Sequence, residues 1–137
     1  MNSIEQMEAA MKQRKTLLDA LGIEITKLSK ETVCGKMPVD HRTHQIYGML
    51  HGGASVAFAE TLCSIAAHFH IDTEKKMAVG LEINANHLKS IRTGYVLGEA
   101  KPIHIGKKTQ VWQIEIRAED SKDLISISRC TMAVIDK

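Results

Sequence analysis

The sequence predicts an α+β fold in which a curved antiparallel sheet of about six strands wraps round one long central helix. Three observations predict it. Residues 52–69 are a proline-free run of small and apolar helix formers, apolar on nearly every side, and such a helix is buried rather than laid on a surface. From residue 77 onward apolar residues recur at every second position, the period of half-buried strands. The connections between these strands are too short for the crossover that a parallel pair requires, so neighbours run antiparallel. A sheet of that size covers a single apolar helix only by curling round it.

Taken in order, residues 1–21 read as an N-terminal helix, with Ile4, Met7, Met11, Leu17 and Leu18 spaced among polar residues, Ser3 as its cap and Gly22 as its stop. Residues 23–28 and 32–39 alternate as two antiparallel strands about the polar turn 29–31, and Pro38 ends the second strand or holds it at an edge. Residues 40–50 have no period and deliver His41, Arg42, His44 and Gln45 to the start of the central helix, as functional loops do. His41 and His44 are expected to be simply solvent-exposed. After a polar turn at 72–76, residues 77–135 are expected to form a four-stranded meander, with runs at 79–86, 95–105, 109–118 and 124–135. Trp112 and Met132 fall at core positions of those strands.

The length of 137 residues suits one domain, residues 1–137, around one core. A formal net charge of +2, no basic run and five aromatic residues in all leave nothing to recognise nucleic acid. The central helix, ~27 Å long and carrying several hydroxyl side chains, is too short and too polar to span a bilayer, so no membrane association is expected. Cys34, Cys63 and Cys130 show no paired spacing and no secretory leader precedes them, which predicts buried, reduced thiols and a cytoplasmic protein.

The central helix holds one carboxylate, Glu60, with Ser64 four residues later on the same face and Ser55 and Thr61 as its other polar members. A carboxylate in apolar surroundings is costly, and such groups cluster at functional sites. His51, Gly52 and Gly53 stand at the helix start, where free backbone N–H groups and the positive end of the dipole hold developing negative charge.

These residues resemble a known family. LHGGASVAFAET, and then VGLEINANHLKSIRTGYVLGEAKPIHIGKKTQVWQIEI, are similar to the hotdog-fold acyl-CoA thioesterases over roughly residues 37–134. Within them the similarity is greatest to the branch holding the 4-hydroxybenzoyl-CoA, 1,4-dihydroxy-2-naphthoyl-CoA and phenylacetate-pathway thioesterases. The resemblance implies hydrolysis of an acyl- or aroyl-CoA without metal or redox cofactor, CoA being part of the substrate. It assigns Glu60 as the catalytic carboxylate, Gly52 as the backbone donor, Gln45 and His51 as polar groups near the thioester, Ser64 as a hydroxyl one turn beyond the acid, and His87 as a neighbour of the acyl pocket.

Thioester hydrolysis passes through a tetrahedral species with a negative oxygen, so a site needs fixed donors and a group that attacks or activates water. Glu60 can do either, by way of an anhydride or as a general base. Gly52 and Glu60 are ~12 Å apart along one helix, whereas both must lie about 3 Å from one carbonyl group. Two central helices related by a two-fold axis would bring Glu60 of one copy to Gly52 of the other, which predicts a homodimer, and the resemblance extends this to a homotetramer. Loop donors Ser90 and Arg92 at one turn, and Gly106, Lys107 and Lys108 at the next, are candidates for the CoA phosphates. Two other functions use such a chain: an acyl-CoA-binding regulatory module without catalysis, and an acyl-thioester hydratase or dehydratase that relies on a histidine paired with an acid.

Overall fold

The computed structural model describes residues 3–137. Its elements are α1 (Ser3–Lys12), α2 (Leu17–Leu21), β1 (Glu24–Leu28), β2 (Val33–Pro38), α3 (Gly52–His68), β3 (Lys76–His87), β4 (Tyr95–Ile105), β5 (Thr109–Ala118) and β6 (Leu124–Asp136). The six strands make one antiparallel sheet in the order β1-β2-β4-β5-β6-β3. One face of it carries α3, which touches β2, β3, β4, β5 and β6. This is the hotdog arrangement. No helix among the described residues is long and apolar enough to cross a membrane.

Strict alternation makes β5 the spine of the core, with Gln110, Trp112, Ile114, Ile116 and Ala118 all turned to the helix and buried. The one polar side chain in that row is satisfied: Trp112 Nε1 donates to Gln110 Oε1 at 2.9 Å, and Gln110 Nε2 donates to the Ala67 carbonyl at 3.4 Å. Against the sheet α3 sets Phe58 and Leu62, both fully buried. Beneath them Gly35 of β2 and Gly98 of β4 pair across the strands. A Cβ on Gly98 would lie 2.6 Å from Leu62 Cδ1, and one on Gly35 3.0 Å from Leu62 Cδ2, so the missing side chains set how closely the helix approaches.

Three expectations are corrected. The N-terminal helix is two helices, broken at residues 13–16, because Thr16 opens a new one and Asp19 Oδ2 accepts from the Thr16 N–H at 2.8 Å; residues 1 and 2 lie outside the described residues. The last four strands are not a meander: β4, β5 and β6 follow one another, but β3 pairs only with β6, at the far edge. The place beside β4 is taken by β2, and the β3–β4 connection passes instead along the start of α3, where Leu50 N–H reaches Ile91 O and Leu88 N–H reaches Ile125 O, each at 2.8 Å. Cys34 is half-buried on the outer face of the sheet, while Cys63 and Cys130 are buried and all three are free.

Candidate active site

Two clefts flank α3, and they divide the expected site residues between them. The larger, of about 590 Å3, runs between α3 and the N-terminal helices, walled by Met11, Leu17, Leu18, Val56 and Ala57 and floored by Glu60, Thr61 and Ser64. Glu60 is half-buried there and has no hydrogen-bond or ion-pair partner among the described residues. Its carboxylate lies over Gly80 of β3, where a Cβ would come 3.0 Å from Oε2 and 3.4 Å from Oε1. A side chain at that position would crowd the acid. Cys63, on the next turn, is no competing nucleophile: hydrogen bonding to Cys130, then burial, the Cys130 charge and the Glu60 charge all push its thiol up, so it stays protonated.

The second cleft, of about 340 Å3, opens at the N-terminus of α3 and gathers Gln45, Gly52, Ser55, His87, Lys89 and Ser90. Here the capping pattern matters. His51 is the N-cap, and its Nδ1 accepts from the Gly53 N–H at 2.8 Å, while the Ala54 N–H goes to the His51 carbonyl at 3.0 Å. Of the first three N–H groups of the helix, that of Gly52 alone has no acceptor among the described residues. It stands free to donate, at the positive end of the helix dipole. The His87 ring stands beside it, with Nε2 2.9 Å from where a Gly52 Cβ would be. Gln45 Oε1 accepts from the Tyr47 N–H at 2.5 Å and the Met49 N–H at 3.4 Å, which commits the oxygen and leaves the two N–H bonds of Nε2 free.

The remaining assignments fall differently. His51 faces a third hollow with Leu17, Leu21 and His44, away from the Gly52–His87 cleft, and its cap bond accounts for its place. His41 is exposed as expected, but His44 is half-buried and its Nε2 meets the Arg92 carbonyl at 2.8 Å. The Arg92 guanidinium donates to the Tyr47 carbonyl at 3.0 Å. The two groups of candidate phosphate contacts do not cluster within one chain: Ser90 and Arg92 precede β4, Gly106, Lys107 and Lys108 follow it, and its 11 residues set them ~30 Å or more apart. Gly106 closes the β4–β5 hairpin, its N–H donating to the Thr109 carbonyl at 2.9 Å. In the sequence Gly80 shows only as a glycine interrupting a strand, and the apolar residues of α1 and α2 that wall the cleft read as ordinary packing.

The sequence and the fold match known proteins. The thioesterase superfamily model aligns with residues 47–125. The chain belongs to the thioesterase superfamily. This thioesterase is 55% identical to ComA2 of Bacillus subtilis over 93% of its own length and 100% of that protein's. It is 48% identical to the 1,4-dihydroxy-2-naphthoyl-CoA hydrolase of Escherichia coli, covering 84% of this chain and 83% of that one. Two solved structures of Staphylococcus aureus SAV0944, a thioesterase, superpose on it with TM-scores of 0.86 and 0.83, at 41% and 42% identity; they cover 89% and 86% of this chain and 100% and 97% of their own. One is a glutamate-to-alanine variant and the other a glutamine-to-alanine variant, and those two positions are separated by the same interval as Glu60 and Gln45 here. The protein is an enzyme, a thioester hydrolase.

Proposed function

We propose that the enzyme hydrolyses aroyl-CoA thioesters, of the hydroxybenzoyl-CoA or dihydroxynaphthoyl-CoA kind, to the free acid and CoA, in sites built from two copies of the chain. The observation that carries this reading is the division of labour between the clefts: among the described residues, one holds a carboxylate without a partner and the other a helix-start N–H and a carboxamide N–H group without acceptors. Neither cleft holds a complete set. The apolar wall beside Glu60 and a volume of about 590 Å3 suit a bulky, flat acyl group, in keeping with the substrate named for the Escherichia coli relative.

The edge strand supplies the two-fold contact. β3 is 12 residues long and pairs on one side only, with Leu81 63% exposed along it. Its helix-facing residues include Gly80, under Glu60, and His87, beside Gly52. Leu81 is a bulge, unmatched in the β3–β6 register between Gly80 and Glu82. Two β3 strands running antiparallel about Asn84 keep like faces together, and because the bulged Leu81 drops out of the count they set Gly80 of one copy opposite His87 of the other. That register carries Glu60 to the Gly52 and Gln45 of the neighbouring copy.

In such a site the Gly52 N–H and Gln45 Nε2 hold the thioester oxygen. Glu60 takes a proton from water as the hydroxide adds to the carbonyl carbon, or adds to that carbon itself and forms an anhydride that water then opens. Collapse of the tetrahedral species breaks the C–S bond and expels CoA as the thiolate, which is protonated on release. Either course uses ionised Glu60 and needs no metal or redox group. His51 Nδ1 is engaged as the helix cap, accepting from the Gly53 N–H, which argues against its serving in the histidine–acid couple of a hydratase. Three free cysteines suit the reducing cytoplasm as the place of action. The test is thiol release from a panel of aromatic and aliphatic acyl-CoAs: aroyl-CoAs should be turned over with the highest kcat/KM, and a flat preference for short aliphatic chains would refute the substrate class.

A further inference from the structure

We infer that Arg92 is a positioning residue for the reaction: its guanidinium holds the loop that presents the Gln45 carboxamide to the thioester. This rests on the reading above, in which Gln45 Nε2 meets the substrate oxygen.

The loop is a closed turn. Gln45 N–H donates to Met49 O at 2.8 Å, Gly48 N–H donates to Gln45 O at 3.0 Å, and His44 bridges to Leu50. Gly48 sits at φ +78°, a conformation that favours glycine. Because Gln45 Oε1 is bound to the N–H groups of Tyr47 and Met49, the carboxamide moves wherever the turn moves. Packing does not hold the tip of that turn, since Ile46 and Tyr47 are 93% and 72% exposed. Arg92 does. Its Nη1 donates to the Tyr47 carbonyl at 3.0 Å, and its own carbonyl meets His44 Nε2 at 2.8 Å, so one residue of the β3–β4 connection grips the turn on both sides of Gln45. The neighbouring Ile91 carbonyl accepts from the Leu50 N–H and closes the base. A charge-assisted bond to a carbonyl is a strong anchor for an otherwise exposed tip, and a shift of ~1 Å in a catalytic donor can cost ~100-fold in rate.

The test compares Arg92→Ala, Arg92→Lys, Gln45→Ala and the Gln45→Ala/Arg92→Ala double variant on the best aroyl-CoA, at low and high salt. Arg92→Ala should lose about tenfold in kcat with KM held within about twofold, and Arg92→Lys should regain part of it, because an ammonium also donates to the carbonyl but without the rigid fork. The double variant should be no slower than Gln45→Ala alone, within about twofold, since both substitutions disable one device. The inference is overturned if the two losses multiply, or if Arg92→Ala raises KM, flattens its salt dependence and spares kcat, the signature of a CoA phosphate contact. If Gln45→Ala itself runs near the parental rate, the site reading fails as well, and that outcome is visible without any Arg92 variant.

Discussion

Glu60 is half-buried, without a partner among the described residues and pressed against a glycine, and those three facts set what should happen when it is changed. Glu60→Gln keeps the shape and removes the charge, so kcat should fall by about 10²–10⁴ while KM and the fold persist. Steady-state kinetics beside circular dichroism check this, and a variant within about tenfold of the parent would make the carboxylate structural. Glu60→Asp keeps the charge but withdraws it by a methylene, and a loss of ~100-fold is expected. Gly80→Ala tests the contact from the other side: its φ is unexceptional, so the new methyl acts by displacing the carboxylate 3.0 Å away. A fall in kcat with little change in melting temperature is expected. At the other end of the loop, Arg42 holds the Asp40 carboxyl at about 2, well below the usual range, by hydrogen bonding and charge. A lowered folded-state pKa contributes stability that is present above about pH 4 and is lost as pH falls toward 2. In Asp40→Asn the acid-unfolding curve should therefore lose part of its slope in that window; the group is exposed and the effect small.

Among the elements, α3 is fixed by what the sheet omits beneath it. Adding a side chain at Gly98, where a Cβ would come 2.6 Å from Leu62 and 2.9 Å from Phe58, forces the helix off the sheet. Gly98→Val should cost about 1–3 kcal/mol or more in urea unfolding, and an unchanged midpoint would show that the helix was not so closely seated. The N-terminal pair behaves in the opposite way. Neither α1 nor α2 buries any residue fully, yet Met11, Leu17 and Leu18 line the groove that holds Glu60. Such a wall tunes the acyl group more than the fold. Leu17→Trp should lower kcat/KM for the largest aroyl-CoAs while leaving the smallest acyl-CoA and the melting temperature nearly unchanged; equal losses across the panel would place the acyl group elsewhere.

For the whole molecule the expected assembly turns on one register. A β3–β3 ladder centred on Asn84 puts the two Asn84 Cα atoms ~4.5–5.5 Å apart, within reach of a disulfide. Asn84→Cys should therefore give an inter-subunit bridge on mild oxidation, seen as a doubled mass on a non-reducing gel. Glu82→Cys should not, because its own copy is then displaced by four residues, ~13 Å. Mixing Glu82→Cys with Asn86→Cys should restore the bridge. A bridge from Glu82→Cys alone would shift the axis and separate Glu60 from the facing Gly52.

Local pattern was enough to reveal the long apolar helix, the strands and their period, the glycine start of α3 with its acid eight residues on, and the resemblance these carry. Each of those is written within a few turns or one strand, where side-chain spacing and backbone preference act directly. The partner of each strand is not. Alternation says which side of β3 is apolar and nothing about whether β4 or β6 lies beside it, so the meander was expected and the edge strand was found. The same holds for Arg92 and Gly80, though not for His51, whose cap bond to the Gly53 N–H is local. A grip on a carbonyl 45 residues away in sequence and a seat for a carboxylate exist only once the chain has closed on itself, because each depends on distances that long-range packing alone decides.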